Sequence, residues 1–250
     1  MSRNRLGLFC AVILVTCLAN KAEADIIASW SGNGTAADST GAHNGTLVNG
    51  AGYGNGTNGQ QAFQFNGVNQ YVTAPASTAF AFGSSSFSIG LWANFSTIKT
   101  GPVTSIPNVF IGNDEGAGNL NKWVFFYDGN GHLDFHINSP GSGPIFLSAP
   151  TAIAPTVGSW NYYQVTDIGG TYTFYENGTS LGSVFNGTSI PFANAPLTIG
   201  QAENLGYFNG LIQNVQISAI PEPSPVILAG LGIVLVAVRT RWRSRFSTIL

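Results

Sequence analysis

Short stretches of alternating apolar and polar residues recur along the middle of the chain, each closed by a turn. Phe87 to Phe95 is the clearest of them. Phe87, Ile89, Leu91, Ala93 and Phe95 fall on one side of an extended strand, and Ser88, Gly90, Trp92 and Asn94 on the other. Trp123, Phe125 and Tyr127 likewise share a face, and their run passes through Asp128-Gly129-Asn130-Gly131 into His132 to Ile137. Thr171 to Glu176 passes through Asn177-Gly178 into Thr179 to Val184. Asn-Gly occurs ten times between residues 33 and 210. Both residues tolerate positive φ, as tight hairpin turns require. No window of this region carries a sustained helical stripe. The pattern predicts an all-β domain over residues 25–219, built as a two-sheet antiparallel sandwich.

Longer apolar runs lie at the two ends. Leu6 to Leu18 follows Arg3 and Arg5 and precedes Ala22-Glu23-Ala24. This is the layout of a secretory signal peptide over residues 1–24, with Ala22 and Ala24 marking the cleavage site. The run falls short of the roughly 20 apolar residues that span a bilayer. A lipoprotein signal ending at Cys17 is the competing reading, and Thr16 before that cysteine is larger than such signals favour. The other run, Val226 to Val238, has 13 residues. It is preceded by Pro221-Glu222-Pro223 and followed by Arg239, Arg241, Arg243 and Arg245. A proline-rich break before and arginines after make a stop-transfer pattern, with the arginines held cytoplasmic.

Pro221, Glu222 and Pro223, the short apolar run and the arginine cluster follow one another in an order that resembles the PEP-CTERM sorting signal of exopolysaccharide-producing bacteria. The resemblance implies recognition of residues 220–245 by an exosortase, a transient stay in the inner membrane, and cleavage near the motif. The protein would then be released or attached at the cell surface. A plain C-terminal transmembrane anchor is the alternative, and it leaves the β domain on the same side of the membrane.

Composition sharpens this division. Only 8% of residues are charged, against about 25% in a typical globular domain. Seven of the nine basic residues belong to the two ends, so residues 25–220 hold two bases against nine acids, a net charge of −7. No basic face for nucleic acid can be built from that. Cys10 and Cys17, the two cysteines, both lie in the leader. The domain itself therefore has no disulfide, thiolate ligand or cysteine nucleophile.

The order of short motifs resembles the LamG-like family of concanavalin A-like lectin/glucanase jelly rolls. It begins with the turn Asp38-Ser39-Thr40-Gly41 to Thr46. Next come the strand pair Ala62 to Val72 and the strand Phe87 to Trp92. The hairpin of Trp160 to Thr166 with Tyr172 to Gly178 follows, and Leu197 to Gly200 with Phe208 to Ile212 closes the set. The resemblance implies a jelly-roll sandwich and a carbohydrate-binding or surface-binding role. After Ile212 the family often carries an acid. Gln213 stands there instead, which removes a carboxylate that a calcium site could use.

The fold superfamily includes glucanases, so catalysis has to be weighed. A retaining glycosidase of this kind needs carboxylates at alternating positions of one strand, about 5–5.5 Å apart. No such run exists, and the closest acids, Asp114 and Glu115, are adjacent and would face opposite ways. No G-x-S-x-G nucleophile elbow appears either. The expectation is a protein that is not an enzyme.

Candidate ligand-binding residues are Trp92, which falls among polar neighbours, and His132, Asp134 and His136, which alternate along one strand. Those three are expected on a solvated outer face, too widely spaced for one metal ion. Asp38 and Asp114, with Glu115 and Asp128, sit in turn-rich segments where hard oxygen ligands suit calcium. They can equally serve as turn formers.

These features together point to a secreted, exosortase-sorted cell-surface or matrix protein that binds polysaccharide or a surface partner. A structural or adhesion component without a specific ligand is the alternative, and a divergent glycoside-active enzyme the third.

Overall fold

A computed structural model describes residues 24–139 and 141–221. The leader and sorting sequence, apart from Ala24, Ile220 and Pro221, lie outside the described residues. Asp25–Ile220 forms one compact unit. Among the described residues no helix is long and apolar enough to cross a membrane.

Seventeen strands follow one another among the described residues. They are β1 (Asp25–Trp30), β2 (Thr46–Val48), β3 (Gly52–Asn55), β4 (Gln61–Asn66), β5 (Tyr71–Ala74) and β6 (Phe87–Phe95). Next are β7 (Asn108–Asp114), β8 (Lys122–Tyr127), β9 (Leu133–Asn138) and β10 (Ile145–Ser148). Then come β11 (Trp160–Ile168), β12 (Thr171–Glu176), β13 (Thr179–Phe185), β14 (Leu197–Ile199), β15 (Gln201–Ala202), β16 (Gly206–Tyr207) and β17 (Asn209–Ala219). An eight-stranded sheet runs β13-β12-β11-β6-β17-β4-β3, with β1 also paired to β17. A seven-stranded sheet runs β10-β9-β8-β7-β14-β5-β2, and β15 and β16 make a small separate hairpin. All the pairings are antiparallel. The expected sandwich is therefore present.

Alternation explains how the two sheets meet. Ile89, Leu91, Ala93 and Phe95 of β6, Tyr163 and Val165 of β11 and Ile212 and Ile217 of β17 are all buried in one core. Trp123, Phe125 and Tyr127 of β8 and Leu133, Phe135 and Ile137 of β9 close it from the other sheet. Aromatic rings fill the gap. Phe95 packs 4.9 Å from Phe208, and Phe110 stacks 5.2 Å from Tyr163 between ring centroids. Burial of each such residue stabilises the fold by roughly 1.5–3 kcal/mol, which suits a domain without disulfides.

One irregularity keeps the pattern in phase. Between Gln213 and Gln216 the pairing of β17 with β6 slips. Asn214 takes a φ of 51° there. The extra residue lets both Ile212 and Val215 point inward, as a bulge does by placing two residues opposite one.

Candidate functional site

The outer face of the seven-stranded sheet carries His132, Asp134 and His136, and it is not the solvated surface that their alternation suggests. Asp134 is fully buried and His136 is 3% exposed, while His132 is half-buried. A second apolar cluster of Ile106, Val109, Val124, Phe126 and Ala202 explains the burial, with Val103 and Phe146 packed on it. The loop before β7 and the β15–β16 hairpin supply Val103, Ile106 and Ala202, so a further layer covers this sheet.

Beneath that layer the polar groups pair with one another. The fully buried Lys122 ammonium lies 2.6 Å from Glu203 Oε1 and also donates to the Gly116 carbonyl. The His136 ring stacks on Phe146, centroids 4.1 Å apart and nearly parallel. Its Nδ1 lies 2.9 Å from the Ile145 carbonyl, and its Nε2 3.7 Å from Glu203 Oε1. Burial pushes the His136 pKa down to about 4, so the ring is neutral at pH 7. Its Nδ1–H therefore donates to Ile145. Asp134 accepts a hydrogen bond from Ser148 at Oδ1, while its buried Oδ2 has no partner among the described residues. Burial raises its pKa to about 7. His132 Nδ1 is held 2.8 Å from the Ala149 carbonyl. The three residues share a face but form no open site.

The loop acids are turn organisers. Asp38 Oδ1 accepts from the N–H groups of Ser29 and Thr40, and Oδ2 from the Thr40 hydroxyl and the His43 N–H. A carboxylate has about four acceptor positions, so all are occupied. Burial works to raise the Asp38 pKa, but these hydrogen bonds outweigh it and hold the value below the ordinary one. Asp128 Oδ1 gathers the N–H groups of Asn130, Gly131 and His132. Asp114 accepts from the N–H groups of Gly116 and Glu203 and feels the Lys122 charge, yet burial still raises its pKa. Asp38 therefore has no free oxygen position to offer a calcium ion, and Asp114 lies beside the Lys122 charge. Among the described residues no three His, Cys, Asp or Glu side chains are grouped as a metal ion requires. The saturated donor set of Asp38 does not fit calcium.

Gln213 shows what the missing acid is replaced by. Its Oε1 accepts from the Thr57 N–H at 2.9 Å and the Thr57 hydroxyl at 3.0 Å, while its Nε2 donates to Gln60 Oε1 at 3.0 Å. An ionised carboxylate could accept from Thr57 but could not donate to Gln60, whereas the amide does both. It clamps the turn between β3 and β4.

The outer face of the eight-stranded sheet is of another kind. Trp92 on β6 lies directly opposite Tyr162 on β11 and Gln213 on β17. One step along, Gln164, Gly90 and Gln216 stand in a row, with Tyr175 of β12 beyond Gln164. Trp160 and Asn94 pair on the opposite side of Trp92. Trp92, Trp160, Tyr162 and Tyr175 are all half-buried, leaving part of each ring open to solvent. The Trp92 and Tyr162 rings are tilted together with centroids 5.6 Å apart. Gly90 makes room for that pair, because a Cβ there would sit 2.1 Å from the Tyr162 hydroxyl oxygen. The residues that alternation assigns to the middle of this face are aromatic, amide, hydroxyl, glycine or, at Leu211, aliphatic, with no charge. Sequence reasoning singled out Trp92 but not Trp160, Tyr162, Gln164 or Tyr175. The signal was present in β11, whose even-numbered positions oppose the core residues Tyr163 and Val165.

A model of the concanavalin A-like lectin/glucanases superfamily matches residues 66–221. Domain 4 of AbnA, an extracellular GH43 arabinanase from Geobacillus stearothermophilus solved with arabinotriose, is similar in structure. It aligns at a TM-score of 0.61 and 22% identity, over 79% of this chain and 93% of that one. The binding domain of Paraclostridial Mosquitocidal Protein 1 aligns at 0.56 and 15% identity, over 81% of this chain and 51% of that one. The botulinum neurotoxin serotype G binding domain aligns at 0.55 and 19% identity, over 85% and 51%. This chain thus spans about half the length of the toxin domains. At these identities the likeness establishes the fold. A comparison with curated proteins gave no match. The family match covers more than half of the chain, from the end of β4 through β17. The chain belongs to the concanavalin A-like lectin/glucanases superfamily.

Proposed function

We propose that the protein is a non-catalytic carbohydrate-binding domain displayed at the bacterial cell surface or in the extracellular matrix. The observation that carries this reading is the uncharged face around Trp92, with Trp160, Tyr162 and Tyr175 beside Gln164 and Gln216. The C–H faces of sugar rings pack on aromatic surfaces, and neighbouring amides supply donors and acceptors to hydroxyl groups. The structural neighbour solved with arabinotriose supports the reading by analogy of fold. Export by residues 1–24 and exosortase handling of the Pro221-Glu222-Pro223 sequence would bring the domain to an exopolysaccharide.

The test is a glycan array with the purified protein, followed by titration of any hit. Reproducible binding that is lost in Trp92→Ala, with an unchanged melting temperature, is the expected result. A blank array favours the structural or adhesion role. Binding that survives Trp92→Ala places the sugar elsewhere. Hydrolysis of a bound glycan would return the protein to the enzymes.

A further inference from the structure

The ten Asn-Gly pairs are chemically alike in sequence and unlike in the fold. An Asn-Gly pair deamidates when the glycine backbone nitrogen attacks the asparagine Cγ, a step that needs a free side-chain amide, a free glycine N–H and room to bring them together. Most of the ten lack at least one of these. Gly34, Gly45, Gly56 and Gly131 donate their N–H groups to Gly32, Ala36, Gln60 and Asp128, which restrains Asn33, Asn44, Asn55 and Asn130. Asn66 and Asn186 are held through Oδ1 by the following N–H groups, and Asn209 lies inside β17 with strands on both sides.

Three pairs occupy two-residue turns with positive φ at both positions: Asn49-Gly50, Asn58-Gly59 and Asn177-Gly178. Asn49 Nδ2 donates to the Asn69 carbonyl. Asn177 accepts from the Tyr162 N–H and donates to Asn161. Asn58 and Gly59 are exposed, with no hydrogen bond to the Asn58 side chain or the Gly59 N–H among the described residues. A Cβ built on Gly59 meets nothing within 4 Å.

We propose that Asn58 is a self-modification site, at which the folded protein converts asparagine to aspartate and isoaspartate. The deprotonated Gly59 nitrogen forms a bond to Asn58 Cγ. The Cγ–Nδ2 bond of Asn58 then breaks and ammonia leaves with a proton from solvent, giving a cyclic imide. Water opens the imide at either carbonyl. Opening at the backbone carbonyl yields isoaspartate, which adds a carbon to the backbone of a turn closed by the Gln60 N–H to Thr57 carbonyl bond of 3.0 Å. The Gln213 clamp on Thr57 and Gln60 loosens with it.

The test is incubation of the purified full-length protein at physiological temperature and mildly alkaline pH, with mass-spectrometric peptide mapping over time. A urea-unfolded sample runs in parallel. In the folded protein Asn58 should convert roughly tenfold or more faster than Asn49 and Asn177, since breaking one restraining hydrogen bond of about 1.4 kcal/mol is tenfold in rate. The preference should vanish on unfolding, and the folded rate should climb with pH. Equal conversion of Asn49 or Asn177 in the folded protein would overturn the proposal. So would an intact Asn58 when the unfolded sample has reacted. Asn58→Asp gives the charge and mobility standard for the product.

Discussion

Asp134 offers a direct measurement of what the covering layer on the seven-stranded sheet does. Its carboxyl is buried, its Oδ2 is without a partner among the described residues, and its pKa stands at about 7 against an ordinary 3.8. Between those values the unfolded protein has lost the proton and the folded protein keeps it. Stability therefore falls as pH rises from about 4 to about 7, by about 1.4 kcal/mol per pH unit, with a ceiling near 4 kcal/mol. The amide introduced by Asp134→Asn still accepts from Ser148 and has no charge to form. The variant should match the parent near pH 4 and exceed it by about 2–4 kcal/mol above pH 7. His136 works in the opposite direction. Its value of about 4 lies below the ordinary 6.5, so its contribution is present above pH 6.5 and lost as pH falls through 4. The two slopes oppose each other between those limits, and His136→Gln should leave the falling Asp134 slope exposed. Urea unfolding of the parent and both variants, from about pH 4.5 to 8, reads these differences. A gap between Asp134→Asn and the parent that stays constant with pH, or narrows as pH rises, refutes the argument.

Three further substitutions have defined outcomes, two from single contacts and one from the sorting sequence. Gly90→Ala drives a methyl into the Tyr162 hydroxyl, the free end of a half-buried ring; the ring swings aside, so chemical denaturation should shift by no more than about 1 kcal/mol, while glycan binding weakens as Tyr162 leaves Trp92. Gln213→Glu keeps the bonds to Thr57 but loses the donor to Gln60, which should cost about 1–3 kcal/mol. Neither this variant nor the parent should gain melting temperature in millimolar calcium. Pro223→Ala should leave uncleaved precursor in the inner membrane on immunoblots of fractionated cells, and unchanged processing counts against exosortase sorting.

The sandwich was legible because its signals are local. The period-two run of β6 and the Asn-Gly turns need only neighbouring residues, and Trp123, Phe125 and Tyr127 face the core as their spacing implies. The covering layer was not legible for the same reason. Lys122 and Glu203 stand 81 positions apart, and no local pattern announces that a hairpin at residues 201–207 returns to one sheet. Alternation correctly placed His132, Asp134 and His136 on the outer face of β9. It could not show that Val103, Ile106 and Ala202 lie over that sheet.

The two outer faces must therefore be separated when a ligand is assigned. A sugar on the His136 side would have to displace an apolar cluster and open a buried Lys122–Glu203 pair. Leaving either charge without its partner costs several kcal/mol, more than a few hydroxyl contacts return. On the eight-stranded sheet nothing has to move. Trp92 and Tyr162 already touch, Gly90 leaves the space for them, and Gln164 is held by its 2.8 Å bond to Ser88. A preformed surface loses little conformational freedom on binding. The domain's net charge of −7 is kept off the middle of this face, which suits a neutral glycan better than an acidic one. The same low charge that makes the protein unusual in composition leaves the outer face of this sheet to aromatic rings and amides, the groups that the proposed glycan role would use.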